Sequence, residues 1–256
     1  MSKRRRFIIT SVLLSLGFIG LSLLPDQFRF ISIGVLGFIT LVLFTWSLRE
    51  GLAVDMTLLT LLLPFLFTLS VGLFWFLLPS NIFTRIPIVI VYGFGIYALC
   101  LTMNIYTVAA IRTIALLRAA RGVGFVLTLL TFFLVFDTIF SLRTSLFLTS
   151  AFSIIISFPL FFQGFWTAIL EKNFSSDIVR ISLVASLIVG EIAISLFFWP
   201  VSVPVGSIFM TVAAYMLLGL GQAKLEERLF AQTIREYLFV GLAVFIGMFL
   251  ATHWGR

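Results

Sequence analysis

Nine stretches of this chain are apolar over enough residues to cross a lipid bilayer as a helix. At about 1.5 Å of rise per residue, each can span a hydrocarbon core of about 30 Å. Lipid offers no hydrogen-bond partner to an open strand, and the alternating pattern of a membrane barrel is absent, so each stretch is predicted to be an α-helix. The nine predicted spans are Phe7–Leu24, Phe30–Leu48, Met56–Leu78, Ile86–Val108, Val123–Leu142, Leu146–Leu170, Ile178–Trp199, Val201–Leu220 and Tyr237–Trp254.

The composition agrees with this pattern. Hydrophobic residues make up 61% of the 256 residues and charged residues 11%, so most positions cannot face water. We therefore predict an all-α integral membrane protein, a polytopic bundle forming one transmembrane domain over residues 1–256. The basic start MSKRRR runs directly into the first span, which favours an uncleaved signal anchor. The net charge of +7 lies in short connectors, which indicates membrane orientation rather than binding to nucleic acid.

The positive-inside rule predicts how the chain crosses the membrane. If the N-terminus is cytoplasmic, only four of the 17 Lys and Arg residues lie outside, and the other 13 lie in the cytoplasm. The four outer ones are Arg29, Arg85, Arg143 and Arg256. Nine spans then place the C-terminus outside. We expect a multi-pass protein of the cell (plasma) membrane.

One span carries an acid near its middle. Glu191 lies in Ile178–Trp199, at a depth of about 12 Å in hydrocarbon, where an ionised carboxylate is costly. Ser182, Ser186 and Gly190 recur at every fourth position beside it, and such a row of small residues lets a neighbouring helix approach closely. We predict a helix-packing face along this row, and we take Glu191 as the first candidate for a functional residue.

Three further polar side chains fall within predicted spans. Asp137 is near the outer end of its span, where we expect it to reach the headgroup region or to pair with Arg143. Gln163 and Asn104 lie toward the cytoplasmic side, and we expect each amide to hold two helices together by hydrogen bonding. With Glu191, they complete the set of intramembrane candidates.

Two connectors predicted to be cytoplasmic are rich in basic residues. In Gln222–Glu236, a helical spacing would bring Lys224, Arg228 and Arg235 into one row, which predicts a helix along the membrane surface that contacts anionic lipid headgroups. The other connector, Ala109–Gly122, offers the same contact to lipid or to a partner protein. Its basic residues are Arg112, Arg118 and Arg121. The alternative, a solvated linker that only obeys the positive-inside rule, stays open for both.

Motifs for catalysis or cofactor binding were not found. The single cysteine, Cys100, excludes an intrachain disulfide, and His253 is the only histidine. No H-E-x-x-H, G-x-S-x-G or P-loop sequence occurs, so no catalytic residue, metal site or cofactor is predicted, and an enzymatic role is disfavoured. Residues 56–142 and 178–254 share an order of outer turn and basic connector that suggests a parallel repeat.

Three classes of function stay open. The first, which we favour slightly, is a small transporter or permease that uses Glu191 to bind a proton or cation. The second is a non-catalytic membrane subunit or scaffold that packs against a partner protein and lipid headgroups. The third is an enzyme that modifies lipids.

Overall fold

The structure, a computed structural model, describes residues 2–21, 26–49, 54–78, 82–109, 115–170 and 175–252. These residues form nine α-helices and one short 3-10 helix, Asp26–Phe28, with no strand among them. The predicted all-α fold is confirmed. The helices are α1 Lys3–Leu21, α2 Arg29–Leu48, α3 Val54–Trp75, α4 Ile82–Ala109, α5 Leu117–Ser141, α6 Leu146–Ile169, α7 Ser176–Phe197, α8 Val203–Leu225 and α9 Ala231–Ala251.

Eight helices in the described part of the chain, α2 to α9, are long and apolar enough to cross a membrane. This makes the chain a polytopic membrane protein. The remaining helix, α1, opens with the four basic residues Lys3 to Arg6, and its apolar part within the described residues runs from Phe7 to Leu21. The direction in which the chain crosses, and which membrane holds it, stay predictions.

Seven of the nine helices in the described residues begin earlier than the predicted spans, α5 and α9 by the largest margin. α5 begins at Leu117 instead of Val123, which takes Arg118 and Arg121 into its first turns, and α9 begins at Ala231 instead of Tyr237, which takes Arg235 into its second turn. Both extensions contain charged residues, so a prediction based on hydrophobicity begins each helix too late. A helix can continue beyond the apolar stretch because water or headgroups do not interrupt its internal hydrogen bonds.

The chain divides into two compact units, residues 1–131 and 132–256, with the boundary inside α5. The first unit contains a buried polar chain: Thr40 Oγ1 donates to Thr68 Oγ1 at 3.1 Å, and Thr68 Oγ1 lies 3.0 Å from the Tyr92 hydroxyl. The Phe18 ring packs edge-on to Tyr92 at 4.4 Å between centroids. Apolar surroundings and satisfied hydroxyls let three helices pack closely here.

The second unit is organised around α6, which packs against α7 and α8, while α8 also packs against α9. Its core contains a row of aromatic rings. Phe161 lies 4.9 Å from Phe132 and 5.7 Å from Phe165 between ring centroids, and all three side chains are buried. The predicted single domain and the predicted repeat are tested by none of these observations and stay predictions.

The predicted surface helix in Gln222–Glu236 is wrong. α8 continues to Leu225, the chain turns at Glu227 with a φ of 57°, and α9 begins at Ala231. The Arg228 N–H donates to the Ala223 carbonyl at 2.8 Å and the Glu227 N–H donates to the Lys224 carbonyl at 3.1 Å, a closure that ends a helix with a left-handed residue. The basic row assumed one continuous helix, so Lys224, Arg228 and Arg235 do not share a face.

Candidate functional site

Glu191 points away from the bundle. Its side chain is exposed, and the residues on the same helical face, three, four and seven positions away, are exposed too: Ile194 at 40%, Leu187 at 44% and Val184 at 54%. On the opposite side of α7, Val189 and Ala193 are fully buried. The carboxylate is thus presented to whatever surrounds this unit in the membrane, and it lines none of the cavities described below.

The row of small residues on α7 is buried, and its Gly190 lies against α6. Ser182 and Ser186 are buried, and Gly190 accepts a hydrogen bond from Ser150 Oγ at 3.3 Å. A Cβ at Gly190 would lie 2.6 Å from Ile154 Cδ1, so only glycine leaves room for this side chain. Gly190 therefore forms an internal contact between two neighbouring helices, and the row as a whole is buried. It is not available to another protein, whereas the Glu191 face is.

Asp137 is buried near the end of α5 and does not pair with Arg143 in the described part of the chain. Its Oδ1 accepts a hydrogen bond of 3.4 Å from Ser207 Oγ, and its side chain is 8% exposed. Arg143 lies beyond the end of α5 with a φ of 46° and is exposed. The turn directs the Arg143 side chain away from Asp137. The spacing of the two residues along the chain does not predict that direction.

A cavity of about 570 Å³ opens next to this pair. Its polar lining residues are Arg143, Thr144, Thr149 and Ser202, and it is also lined by Phe140 and Gly206, which lie near Asp137 and Ser207 in the sequence. Among the described residues, its lining includes no acid, histidine or cysteine that could act as a base toward the hydroxyls of Thr144, Thr149 and Ser202. Across those residues, no three His, Cys, Asp or Glu side chains come together as metal ligands. His253 lies outside them.

The side chains and the cavity of the candidate site described above lie within the match to one protein family. The sequence model of a family described as a protein of unknown function, DUF5656, matches residues 9–251. The chain belongs to this family. No curated protein and no solved structure matches it. The match runs from α1 to α9, so Glu191, Asp137 and the small-residue row all lie in the part that defines a DUF5656 protein.

The amide that joins two helices in this DUF5656 protein is Gln222, which the sequence analysis did not select. Gln222 Nε2 on α8 donates to the Gly164 carbonyl on α6 at 2.9 Å. Gln163, where this bond was expected, is 1% exposed, and its Oε1 and Nε2 have no hydrogen-bond partner among the described residues. Asn104 is half-buried, and its backbone carbonyl accepts from Thr107 Oγ1 at 2.9 Å. Because Gln222 is the first residue of the predicted basic connector Gln222–Glu236, its sequence context is typical of a linker.

Exchanging each of these glutamines for leucine is expected to give opposite results. Gln163→Leu removes a buried amide without a partner and should leave the free energy of unfolding unchanged or raise it by up to about 1 kcal/mol. Gln222→Leu removes an interhelical hydrogen bond and should lower it by about 1 kcal/mol. Titration with sodium dodecyl sulfate in mixed micelles measures both. A larger loss for Gln163→Leu than for Gln222→Leu would contradict this assignment.

The predicted basic contacts lie at several separate places. Arg118, Lys224, Arg228 and Arg235 are exposed, whereas Arg121 is half-buried in the second turn of α5. Arg112 lies outside the described residues. Arg228 Nη1 lies 3.9 Å from Glu226 Oε2, a loose ion pair. Contact of these residues with lipid headgroups or a partner stays a prediction.

Proposed function

We propose that this DUF5656 protein is a non-catalytic membrane subunit or scaffold whose exposed α7 face, around Glu191, packs against a second and different membrane-spanning protein. The observation that carries the proposal is the direction of Glu191: it lies more than one turn inside a helix of spanning length, Ser176–Phe197, yet on the side opposite the buried residues of that helix. A carboxyl group directed at lipid costs a few kcal/mol, and a partner helix with a hydrogen-bond donor offsets that cost.

The chemistry of the partner follows from what this chain lacks. Each of its 17 Lys and Arg residues lies between the predicted spans or near their ends, so a second copy has no cation to offer at the depth of Glu191. Two copies related by a two-fold axis through this face would bring two Glu191 carboxyl groups together, and neither copy would offer the other a cation. A different protein with a basic or amide side chain at mid-span satisfies the carboxyl group. This argues for a heteromeric assembly.

The proposal is tested by cross-linking in the native membrane. A photoreactive amino acid at Leu187, on the Glu191 face, should form an adduct with one defined membrane protein, and the same probe at Phe239, exposed at 74% on α9, should not. Glu191→Leu is expected to reduce that adduct about tenfold, the size of effect that one interhelical hydrogen bond produces. Glu191→Gln keeps hydrogen-bonding capacity and should reduce it less.

Two results would overturn the proposal. One is a native complex, purified in mild detergent, whose mass is that of one chain or a whole multiple of it. The other is an adduct that forms equally with Glu191 and with leucine at that position. If the isolated chain also carried a proton or cation flux that was lost in a folded Glu191→Gln protein, the transport hypothesis would replace this one.

A further inference from the structure

A long groove lies between α7 and α8 in the second unit. Its first part has a volume of about 400 Å³ and is lined by Val184, Ile188, Leu217 and Leu220. A second cavity of about 290 Å³ shares Ile188, Leu217 and Leu220 and continues to Ile192 and Phe209. From Arg180 to Ile192 the groove follows α7 for about 18 Å, which is close to the thickness of one leaflet of a bilayer with a core of about 30 Å.

The groove is charged at one end only. Arg180, near the start of α7, and Lys224, near the end of α8, both line the first part of it. Asp177 Oδ1 lies 3.9 Å from Arg180 Nη1, but both side chains are more than 70% exposed, so the ion pair is weak and leaves the guanidinium able to turn to another anion. Beyond these two cations the lining consists of aliphatic and aromatic residues and glycine.

A second groove of similar size provides a comparison within the protein. Between α1 and α4, in the first unit, a groove of about 530 Å³ is lined by Val12, Leu16, Ile90 and Phe94 together with small residues. It has no charged residue in its lining. Such a groove suits any acyl chain, whereas the groove of α7 and α8 pairs an apolar length with a cationic end. The second arrangement matches one chemical class, an amphipathic molecule with an anionic head.

We propose that the groove of α7 and α8 binds an anionic phospholipid of the membrane. The phosphate lies at the end formed by Arg180 and Lys224, and one acyl chain follows Val184, Ile188 and Leu217 along the two helices. A guanidinium and an ammonium group that line the same cavity are suited to a phosphate, since the first offers a planar fork of donors and the second a compact charge. This site borders the Glu191 face at Val184 but includes neither Glu191 nor Leu187, and it does not depend on a partner protein.

Lipid retention by the purified full-length chain tests the site. The protein in mild detergent is incubated with equal amounts of phosphatidylglycerol and phosphatidylcholine, and bound lipid is counted by native mass spectrometry. Wild type should retain phosphatidylglycerol preferentially, and retention should fall about fivefold for each cation removed, hence about 25-fold in Arg180→Gln/Lys224→Gln. The exposed pair Arg228→Gln/Arg235→Gln removes the same charge outside the groove and should retain the lipid.

A third variant keeps both cations and fills the groove. Val184 is 54% exposed, so Val184→Trp should fold, and its ring would occupy the space of the acyl chain. Retention of phosphatidylglycerol is expected to fall in this variant as well. The proposal is overturned if Val184→Trp retains the lipid fully, if both charge pairs lose it equally, or if wild type retains the two lipids equally.

Discussion

Replacing Phe161 by alanine is expected to lower the free energy of unfolding by about 3 kcal/mol, the largest single effect we predict in the second unit. The Phe161 side chain is fully buried on α6 between Phe132 and Phe165, with ring centroids 4.9 and 5.7 Å away. Apolar lipid already solvates the separated helices, so the loss comes from packing contacts and the cavity that remains rather than from transfer to water.

The matched control for Phe161→Ala lies on the same helix. Phe147 is 83% exposed at the start of α6, and Phe147→Ala removes the same atoms without leaving a cavity. Its effect in a titration with sodium dodecyl sulfate should stay within about 0.5 kcal/mol. Equal losses for the two variants would mean that the aromatic row is not the core of this unit.

The second large effect is expected for Gly190→Leu, which should lower the free energy of unfolding by about 2 kcal/mol. A Cβ at this position would contact Ile154 of α6, with Cδ1 at 2.6 Å and Ser150 Oγ at 3.3 Å. Ile154 is β-branched and held in the contact between two helices, so it cannot simply turn aside. α6 and α7 must separate, and the hydrogen bond from Ser150 to the Gly190 carbonyl is lost.

Gly247→Leu provides the control for Gly190→Leu. Gly247 lies on α9, and a Cβ there would meet nothing within 4 Å. Because leucine is the better helix former by up to about 1 kcal/mol, this variant should be neutral or slightly more stable. Both can be followed by thermal unfolding in detergent. If Gly190→Leu behaved like Gly247→Leu, the close contact of α6 with α7 would be refuted.

The hydrophobic pattern alone predicted where the helices lie. A long apolar stretch that crosses the bilayer can satisfy its own backbone hydrogen bonds only as a helix. The spacing of Ser182, Ser186 and Gly190 predicted a packing row, because a row at every fourth position is a property of one helix by itself. In the structure Ser182 and Ser186 are buried, and Gly190 contacts α6. What spacing could not give was the identity of the opposing helix or the side on which Glu191 would remain.

The two glutamines illustrate the same limit. Gln163 was predicted to join two helices because it lies inside an apolar span. The hydrogen-bond partner of such an amide belongs to another helix, and the local sequence does not predict where that helix lies. Gln222 found that partner in the Gly164 carbonyl. The turn at Glu227 was missed for a related reason. α8 ends at a residue of left-handed conformation closed by two backbone hydrogen bonds, and no proline or glycine in the local sequence predicts that end.

That this chain is a set of membrane-spanning helices can be predicted from the length and apolarity of each segment alone. The outward direction of Glu191, the hydrogen bond between Ser207 and Asp137, and the shared groove of Arg180 and Lys224 are known only from the packed structure. These relations join residues of different helices, and their geometry is set by which helical faces pack together, a choice made by the shape of the whole unit rather than by any one segment.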